Sequence, residues 1–196
     1  PYRGGHVITY DPKTDQATDL GIPWPGYGVI DTVADEAHGL IYVVTCEDPF
    51  FWMAYDMKTK RYRWLGPEVA ANCTTVIDLH GRANQISRDF KLLRYDPATN
   101  KLTRQPILLD GQKLTGWDNL ERHRIPLWNL AADGRTAYLT TWDQATLYRL
   151  DLGGADTGPV NMETLGTLVE GDRPDSRCCL TIAPDGRVYA VVSVVN

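Results

Sequence analysis

The residues best suited to binding or catalysis stand at the ends of the long irregular segments of the sequence. An arginine guanidinium pairs with a carboxylate or a sulfate in bidentate fashion. An aromatic plane such as that of Trp142 could stack on a sugar ring. Together, these residue types suit an anionic saccharide. The candidate ligand-binding residues are Asn72, Arg88, Arg122, Arg124, Trp142 and Arg177, and the candidate catalytic bases are Tyr27 and His123.

The same residues could support a lyase or hydrolase acting on a uronate-containing polysaccharide. Arg124 or Arg177 would neutralise the uronate carboxylate and so lower the pKa of the neighbouring C–H group. His123 or Tyr27 would then remove that proton as a general base. This chemistry is the alternative to simple ligand binding.

Several candidates also have a purely structural interpretation. Arg122 and Arg124 could pair with Asp118 and Glu121 of their own loop, and His123 could be a solvent-exposed loop residue. The sequence shows no nucleophile motif, metal-ligand cluster or phosphate-binding loop. Binding without chemistry is therefore favoured over catalysis, and whether the chain is an enzyme is left open.

The bulk composition narrows the range of partners. The chain has 196 residues, of which 43% are hydrophobic and 23% are charged, as is typical of a globular domain. A net charge of -5 does not favour nucleic-acid binding. The longest apolar stretch, near Val188–Val195, is about half of what a membrane span needs. Small molecules, saccharides and proteins remain as partners.

A repeated strand–turn–strand element must position the candidate residues. In each copy an alternating strand ends in aspartate, which can accept a hydrogen bond from the backbone two residues on, and proline often follows to preset φ. The turn aspartates lie 45, 40 and 55 residues apart, at Asp11, Asp56, Asp96 and Asp151.

A second element alternates with the first and consists of two apolar runs around a glycine-containing turn. An Asp-Gly pair between such runs is a strong hairpin signal. It occurs at Asp133-Gly134 and Asp185-Gly186, and residues 76–84 form a degenerate copy. Tyr42, Tyr138 and Tyr189 are expected at equivalent positions, and Asn84 replaces the tyrosine in the degenerate copy.

The two elements together predict an all-β chain made of four-stranded antiparallel β-propeller blades. Residues 1–196 form one propeller domain with four blade equivalents, and no helical periodicity is visible. A part of a larger propeller is favoured over a ring completed by two chains or a closed four-blade ring. The predicted blade repeats are approximately 1–28 (partial), 29–72, 73–125, 126–177 and 178–196 (partial).

The Asp-Gly-Arg-x-Tyr and Tyr-Asp-Pro-x-Thr pieces resemble the repeats of a bacterial superfamily of seven-bladed propellers. That superfamily includes gluconolactonase-like proteins and several polysaccharide lyases, so the resemblance implies the uronate chemistry described above. The three-histidine metal site of oligogalacturonate lyases is not evident, and a gluconolactonase-like site at Asn72 and Asn129 would lack its glutamate. No metal or cofactor is therefore expected, and an extracytoplasmic location, periplasmic or secreted, is favoured.

The two kinds of connection should lie on opposite faces of the propeller. Short turns rich in Asp, Gly and Pro are structural, whereas irregular loops on a rigid scaffold carry binding residues. We therefore expect a ligand at the mouth of the channel, on the irregular-loop face. The longest irregular connections are residues 21–27, 66–72, 106–125 and 169–177.

The four cysteines could form disulfides. Cys46, Cys73, Cys178 and Cys179 lack the C-x-x-C spacing of a zinc site. Of the three possible pairings, Cys46 with Cys73 is favoured because the repeat brings both to the same end of neighbouring blades.

Overall fold

The computed structural model describes residues 4–46, 49–66, 69, 74–113, 128–140, 146–170, 174–175 and 180–194. These residues form nineteen β-strands and contain no helix, so the predicted all-β class is confirmed. Within these ranges, accordingly, no helix is long and apolar enough to cross a membrane. The chain divides into two compact units, Pro1–Glu68 and Val69–Asn196.

The first unit contains one complete four-stranded blade and one hairpin. The hairpin is formed by β1 (Ile8–Asp11) and β2 (Gln16–Asp19). The blade is antiparallel and pairs in chain order β3 (Gly28–Asp35), β4 (Leu40–Cys46), β5 (Trp52–Asp56) and β6 (Arg61–Trp64). Side-chain alternation places Ile41, Val43, Met53 and Tyr55 in one apolar core with Val7.

The second unit contains two further four-stranded blades. The strands of the first are β7 (Val76–Ile77), β8 (Ala83–Ile86), β9 (Lys91–Asp96) and β10 (Lys101–Leu109). After the short β11 (Gln112–Lys113), the strands of the second are β12 (Trp128–Leu130), β13 (Thr136–Thr140), β14 (Thr146–Asp151) and β15 (Val160–Thr167). The outer strands β10 and β15 pair in parallel, which joins both blades in one sheet.

The remaining strands of this unit are short. They are β16 (Pro174–Asp175), β17 (Leu180–Ile182), β18 (Val188–Ala190) and β19 (Ser193–Val194). β17 and β18 form an antiparallel hairpin, and β16 pairs with β19.

One apolar core fills the space between the two blades of the second unit. Ile86 and Leu92 come from the first blade, and Leu139 and Leu150 come from the second. All four side chains are buried. The cluster also contains the buried Trp128.

The predicted aspartate turns form in every copy. The carboxylates of Asp11, Asp56, Asp96 and Asp151 accept hydrogen bonds from the backbone N–H two residues on, at 2.9, 2.8, 2.9 and 2.8 Å. In three copies the fourth residue after the aspartate has a positive φ of 55 to 57° and leads into the next strand. These three residues are Asp15, Lys60 and Asn100.

Strand register confirms the predicted equivalence of the three tyrosines. Tyr42, Tyr138 and Tyr189 lie opposite Val33, Asn129 and Thr181 in the first two strands of their blades. Their exposure differs, because Tyr42 is fully buried whereas Tyr189 is 53% exposed. The register therefore repeats even where the packing does not.

One expectation from the sequence is wrong. Residues 106–113 are not an irregular loop, because β10 continues to Leu109 and turns back at Asp110-Gly111 into β11. Both turn residues have positive φ, 50° and 78°, as a two-residue hairpin turn requires. Cys46 ends β4 opposite Gly28. Cys73 lies outside the described residues, so its pairing with Cys46 stays a prediction.

Candidate ligand-binding site

The structure describes two of the eight residues that the sequence singles out for binding or catalysis. Tyr27 lies in the first unit and Arg88 in the second. The convergence of the predicted arginines therefore stays a prediction. The residues that lie outside the described ranges are Asn72, Arg122, His123, Arg124, Trp142 and Arg177.

Arg88 is an exposed residue of the turn between β8 and β9. Its neighbour Asp89 accepts hydrogen bonds from Ser87 at 2.6 Å and from Lys91 and Arg104. Partial burial raises the pKa of Asp89, but these three partners outweigh it and hold that pKa well below its usual range. The turn that carries Arg88 is thus fixed by its own ion pairs.

Tyr27 belongs to a tight turn that brings two aromatic residues to one place. The turn is Trp24-Pro25-Gly26-Tyr27, closed by a hydrogen bond from the Tyr27 N–H to the Trp24 carbonyl at 3.2 Å. Proline at the second position and glycine with φ of 84° at the third are typical of a type II turn. The Pro-Gly pair therefore holds Trp24 and Tyr27 at adjacent corners of the connection between β2 and β3.

Two further aromatic side chains meet this turn. Phe51, from the connection between β4 and β5, lies 4.6 Å from Trp24 and 5.3 Å from Tyr27 between ring centroids. Trp64, at the end of β6, packs edge-on against Phe51 at 6.3 Å. We call these four residues, Trp24, Tyr27, Phe51 and Trp64, the aromatic cluster. It forms where irregular connections meet, as the prediction of a functional loop face requires.

The backbone beneath the aromatic cluster is tightly constrained. Thr45 accepts the Phe51 N–H at its side-chain oxygen at 2.8 Å, and its own N–H donates to the Phe51 carbonyl at 3.0 Å. Gly5 donates to the Tyr27 carbonyl at 2.7 Å, and a Cβ there would lie 2.6 Å from the backbone nitrogen of Val29. Only glycine fits this approach, so the support of Tyr27 depends on Gly5.

A β-bulge lies beside the aromatic cluster. The register of β3 against β4 shifts between Val29 and Asp31, which leaves Ile30 as the extra residue. Ile30 is 37% exposed. Bulges are over-represented next to active sites, where they redirect side chains.

The aromatic cluster is a half-exposed surface rather than a buried core. Trp24, Tyr27 and Phe51 are partly buried, and Trp64 is 55% exposed. Trp24 and Phe51 also pack on the core of the first unit, which fixes their orientation. Sequence reasoning found Tyr27 and the connection at residues 21–27, but it missed Phe51 and Trp64, since nothing in their spacing signals a contact with that loop.

The second unit contains a contrasting group of charged side chains. Arg82 bonds Asp78 at 2.9 Å and Asp156 at 2.6 Å, and Arg94 donates to Asn84 at 3.0 Å. The side chains of Asp78 and Arg94 are at most 1% exposed. We call these five residues, Asp78, Arg82, Asn84, Arg94 and Asp156, the polar network.

The polar network ties two blades together. Arg94 donates to the carbonyls of Leu152, Gly154 and Ala155, at 2.7, 3.2 and 3.2 Å, in the loop between β14 and β15. Burial and the charge of Arg82 lower the pKa of Arg94, while Asp78 and Asp156 oppose that shift. Because its donors are occupied by protein acceptors, the network has a structural role.

Asn84 shows what replaces tyrosine in the degenerate repeat. In the first unit the Tyr42 hydroxyl donates to the buried carboxylate of Asp35 at 3.2 Å. In the second unit the Asn84 amide donates to the equivalent Asp78 at 3.1 Å. The aspartate contact is kept, and the smaller Asn84 side chain also accepts from Arg94.

Metal ligands do not cluster in the part of the chain that the structure describes. No group of three or more His, Cys, Asp or Glu residues there could hold a metal ion. His38 bonds the Asp35 carboxylate at 2.9 Å within the turn between β3 and β4. His38 is therefore held within that turn by the Asp35 carboxylate.

Comparison with known proteins identifies the fold. No family model matches the chain, and no curated protein matches its sequence. Among solved structures, a quinoprotein alcohol dehydrogenase-like protein of Bacteroides thetaiotaomicron matches 97% of the chain with a TM-score of 0.64 and 12% identity. A β-propeller domain from Myceliophteria thermophila matches 96% with a TM-score of 0.57 and 12% identity. The chain is a β-propeller.

This β-propeller also matches the periplasmic gluconolactonase of Pseudomonas aeruginosa, over 95% of the chain with a TM-score of 0.61 and 13% identity. The chain spans about half the length of the structures that it matches, namely 46% of the quinoprotein and 56% of each of the other two. At such low identity the likeness establishes the propeller fold alone.

Proposed function

We propose that this β-propeller is a saccharide-binding module and that the aromatic cluster is its sugar-stacking surface. The observation that carries the proposal is the meeting of Trp24, Tyr27, Phe51 and Trp64 from three separate segments. Trp64 keeps 55% of its surface exposed at the edge of this cluster. Aromatic side chains at a half-exposed surface combine an apolar face with a polar edge, which suits a sugar ring.

The rigidity of the supporting backbone favours recognition. The Pro25-Gly26 turn and the paired bonds between Thr45 and Phe51 fix the aromatic rings before a ligand arrives. A pre-formed surface loses little conformational entropy on binding. One solved neighbour is named a gluconolactonase, and that name fits a sugar-derived ligand.

An anionic saccharide remains the preferred ligand class. The sequence places Arg124 and Arg177 after long irregular connections, as expected for residues that pair with a carboxylate. The lyase alternative needs a base beside such an arginine. No described contact of Tyr27 favours that alternative.

A calorimetric titration tests the proposal. The 196-residue chain is titrated with a neutral hexose oligomer and with an oligogalacturonate, and the Trp64→Ala variant is titrated in parallel. We expect at least one oligosaccharide to bind and Trp64→Ala to weaken its binding on the order of tenfold, as the loss of one aromatic contact implies.

The matched control is Met57→Ala, an exposed apolar residue in the turn after β5, 45% exposed. This variant should bind like the parent chain. Failure of both oligosaccharides to bind, or equal binding by Trp64→Ala, would contradict the proposal. Tighter binding of the oligogalacturonate than of the neutral oligomer would support the predicted arginine contacts.

A further inference from the structure

The rings of the aromatic cluster do not share a plane. The planes of Trp24 and Tyr27 are inclined by 39° and 54° to that of Phe51. Trp64 stands nearly perpendicular to Phe51, at 85°. Since the first two angles are smaller than the third, the Trp64 plane is also inclined to the planes of Trp24 and Tyr27. A run of consecutive sugars would need coplanar rings to stack on, so the cluster is not a flat platform for an extended chain.

Trp64 has far more of its surface exposed than the other three rings. It is 55% exposed, whereas Trp24, Tyr27 and Phe51 are partly buried. Phe51 lies in the centre of the cluster and contacts each of the other rings. Phe51 and Trp24 also pack on the core of the first unit. The cluster therefore offers one well-exposed ring for stacking, with a wall of partly buried rings beside it.

Two polar groups of the cluster are left for a ligand. Neither the Trp24 indole N–H nor the Tyr27 hydroxyl forms a hydrogen bond within the part of the chain that the structure describes. By contrast, the Tyr10 hydroxyl donates to Asp15 at 2.8 Å. An indole N–H only donates, whereas a phenol hydroxyl both donates and accepts. These two groups can therefore bond the hydroxyls at the rim of one sugar ring.

We propose that the aromatic cluster recognises a single pyranose ring, stacked on Trp64 and hydrogen-bonded by Trp24 and Tyr27. This inference rests on the saccharide-binding proposal and narrows its ligand to one sugar unit, free or carried on a longer chain. The sugar's apolar face covers the Trp64 indole. The Trp24 N–H donates to one ring hydroxyl, and the Tyr27 hydroxyl bonds another. Further sugars of a chain extend beyond the cluster and add little to the affinity.

A chain-length series tests the inference on the 196-residue chain. The monosaccharide, disaccharide and hexasaccharide of a neutral hexose, and the same series of galacturonates, are titrated by calorimetry. The ionic strength is about 1 M, at which charges are screened beyond about 3 Å. We expect the dissociation constants within a series that binds to agree within about tenfold. Stacking of several sugars would instead tighten binding on the order of tenfold for each added ring.

The outcomes separate this inference from the proposal on which it rests. A hexasaccharide that binds more than about tenfold tighter than its monosaccharide would overturn the single-ring inference and leave saccharide binding intact. Failure of every sugar in both series to bind would contradict both. Because the series uses the parent chain, the result does not depend on whether a variant folds.

Two conservative variants test the polar contacts. Trp24→Phe and Tyr27→Phe each remove one polar group and keep an aromatic ring, so each should weaken monosaccharide binding by about threefold to tenfold. The matched control is Tyr10→Phe, which removes the hydroxyl that bonds Asp15 at the turn end of the β1–β2 hairpin. This variant should bind like the parent chain. Unchanged affinity in both cluster variants would overturn the proposed hydrogen bonds.

Discussion

The aromatic cluster of the first unit consists of half-exposed aromatic rings, whereas the polar network of the second consists of charged and amide side chains. In the network, Arg94 is 1% exposed and its donors reach protein acceptors. In the cluster, Trp64 is 55% exposed and meets the Phe51 ring in a T-shaped arrangement. The charged side chains of the polar network therefore join two blades. The side chains that are exposed to a partner in the aromatic cluster are aromatic rings.

This contrast changes how arginines in the chain should be interpreted. The sequence suggested arginines as ligand contacts, yet Arg82, Arg94, Arg135 and Arg149 each pair with an acidic side chain of the second unit. An arginine in this fold is evidence for binding only where its position leaves it available. The same criterion applies to Arg124 and Arg177.

The largest expected effect comes from breaking the polar network. Arg94→Met removes a buried charge that is shared with Asp78 and Asp156, and it removes the Arg94 donor from the Leu152 carbonyl, which keeps only its longer hydrogen bond from Arg82. We expect a loss of about 3 to 5 kcal/mol in the free energy of unfolding, as for other broken buried ion pairs. Urea denaturation followed by circular dichroism measures it. A loss below about 1 kcal/mol would show that the network is not structural.

An intermediate effect is expected on acidification. Hydrogen bonds from Thr99 lower the pKa of Asp96, and the hydrogen bond from Arg135 lowers the pKa of Asp151. A carboxyl whose folded pKa lies below its unfolded value of about 3.9 stabilises the fold above that pH and loses the contribution as pH falls through the folded pKa. Urea midpoints should be flat above about pH 5 and fall below about pH 4.

Asp96→Asn provides a matched comparison for the acid series. The amide oxygen can still accept the Ala98 N–H that Asp96 accepts at 2.9 Å, but it does not titrate in this range. The variant should therefore show a shallower fall at low pH. An identical pH profile for the variant and the parent would show that Asp96 does not contribute to the acid response.

The smallest effect is expected from an exposed ion pair. Arg135 bonds Asp151 at 2.8 Å, with the side chains 57% and 46% exposed. Solvent screens such pairs, so Arg135→Ala should lower the free energy of unfolding far less than Arg94→Met does. Measured beside Arg94→Met, it separates buried from exposed arginine pairs in one unit. Equal losses in the two variants would remove that distinction.

The repeat made the fold predictable from sequence. Asp11, Asp56, Asp96 and Asp151 act through backbone groups two residues away, so each turn is visible in a short window. The register of the tyrosines follows from the same local geometry. The Asp110-Gly111 pair is an equally short hairpin signal. It marks the turn between β10 and β11, which the prediction of an irregular loop at residues 106–125 overlooked.

The candidate site depended on contacts that a single sequence does not display. Phe51 meets Trp24 across 27 residues and Trp64 meets Phe51 across 13 residues, and no spacing rule links them. From the sequence, Asn84 is only the residue that replaces the tyrosine of the repeat. Its hydrogen bond from Arg94, and the hydrogen bond from Arg94 to the Leu152 carbonyl, could not be predicted from a short stretch of sequence. The chemistry of short turns was enough to predict the blades. The aromatic cluster depends on packing between residues that are distant in the sequence.

The salt dependence of saccharide affinity tests the central claim most directly. The neutral hexose oligomer is titrated into the chain, because an anionic ligand would add the salt-dependent arginine contacts predicted above. The ionic strength is varied from about 0.01 M to 1 M, over which the Debye length falls from about 30 Å to about 3 Å. Stacking on Trp24, Tyr27, Phe51 and Trp64 predicts an affinity that stays within about twofold, since rings carry no net charge. A fall of tenfold or more would contradict the account, because it would show that charged residues dominate binding.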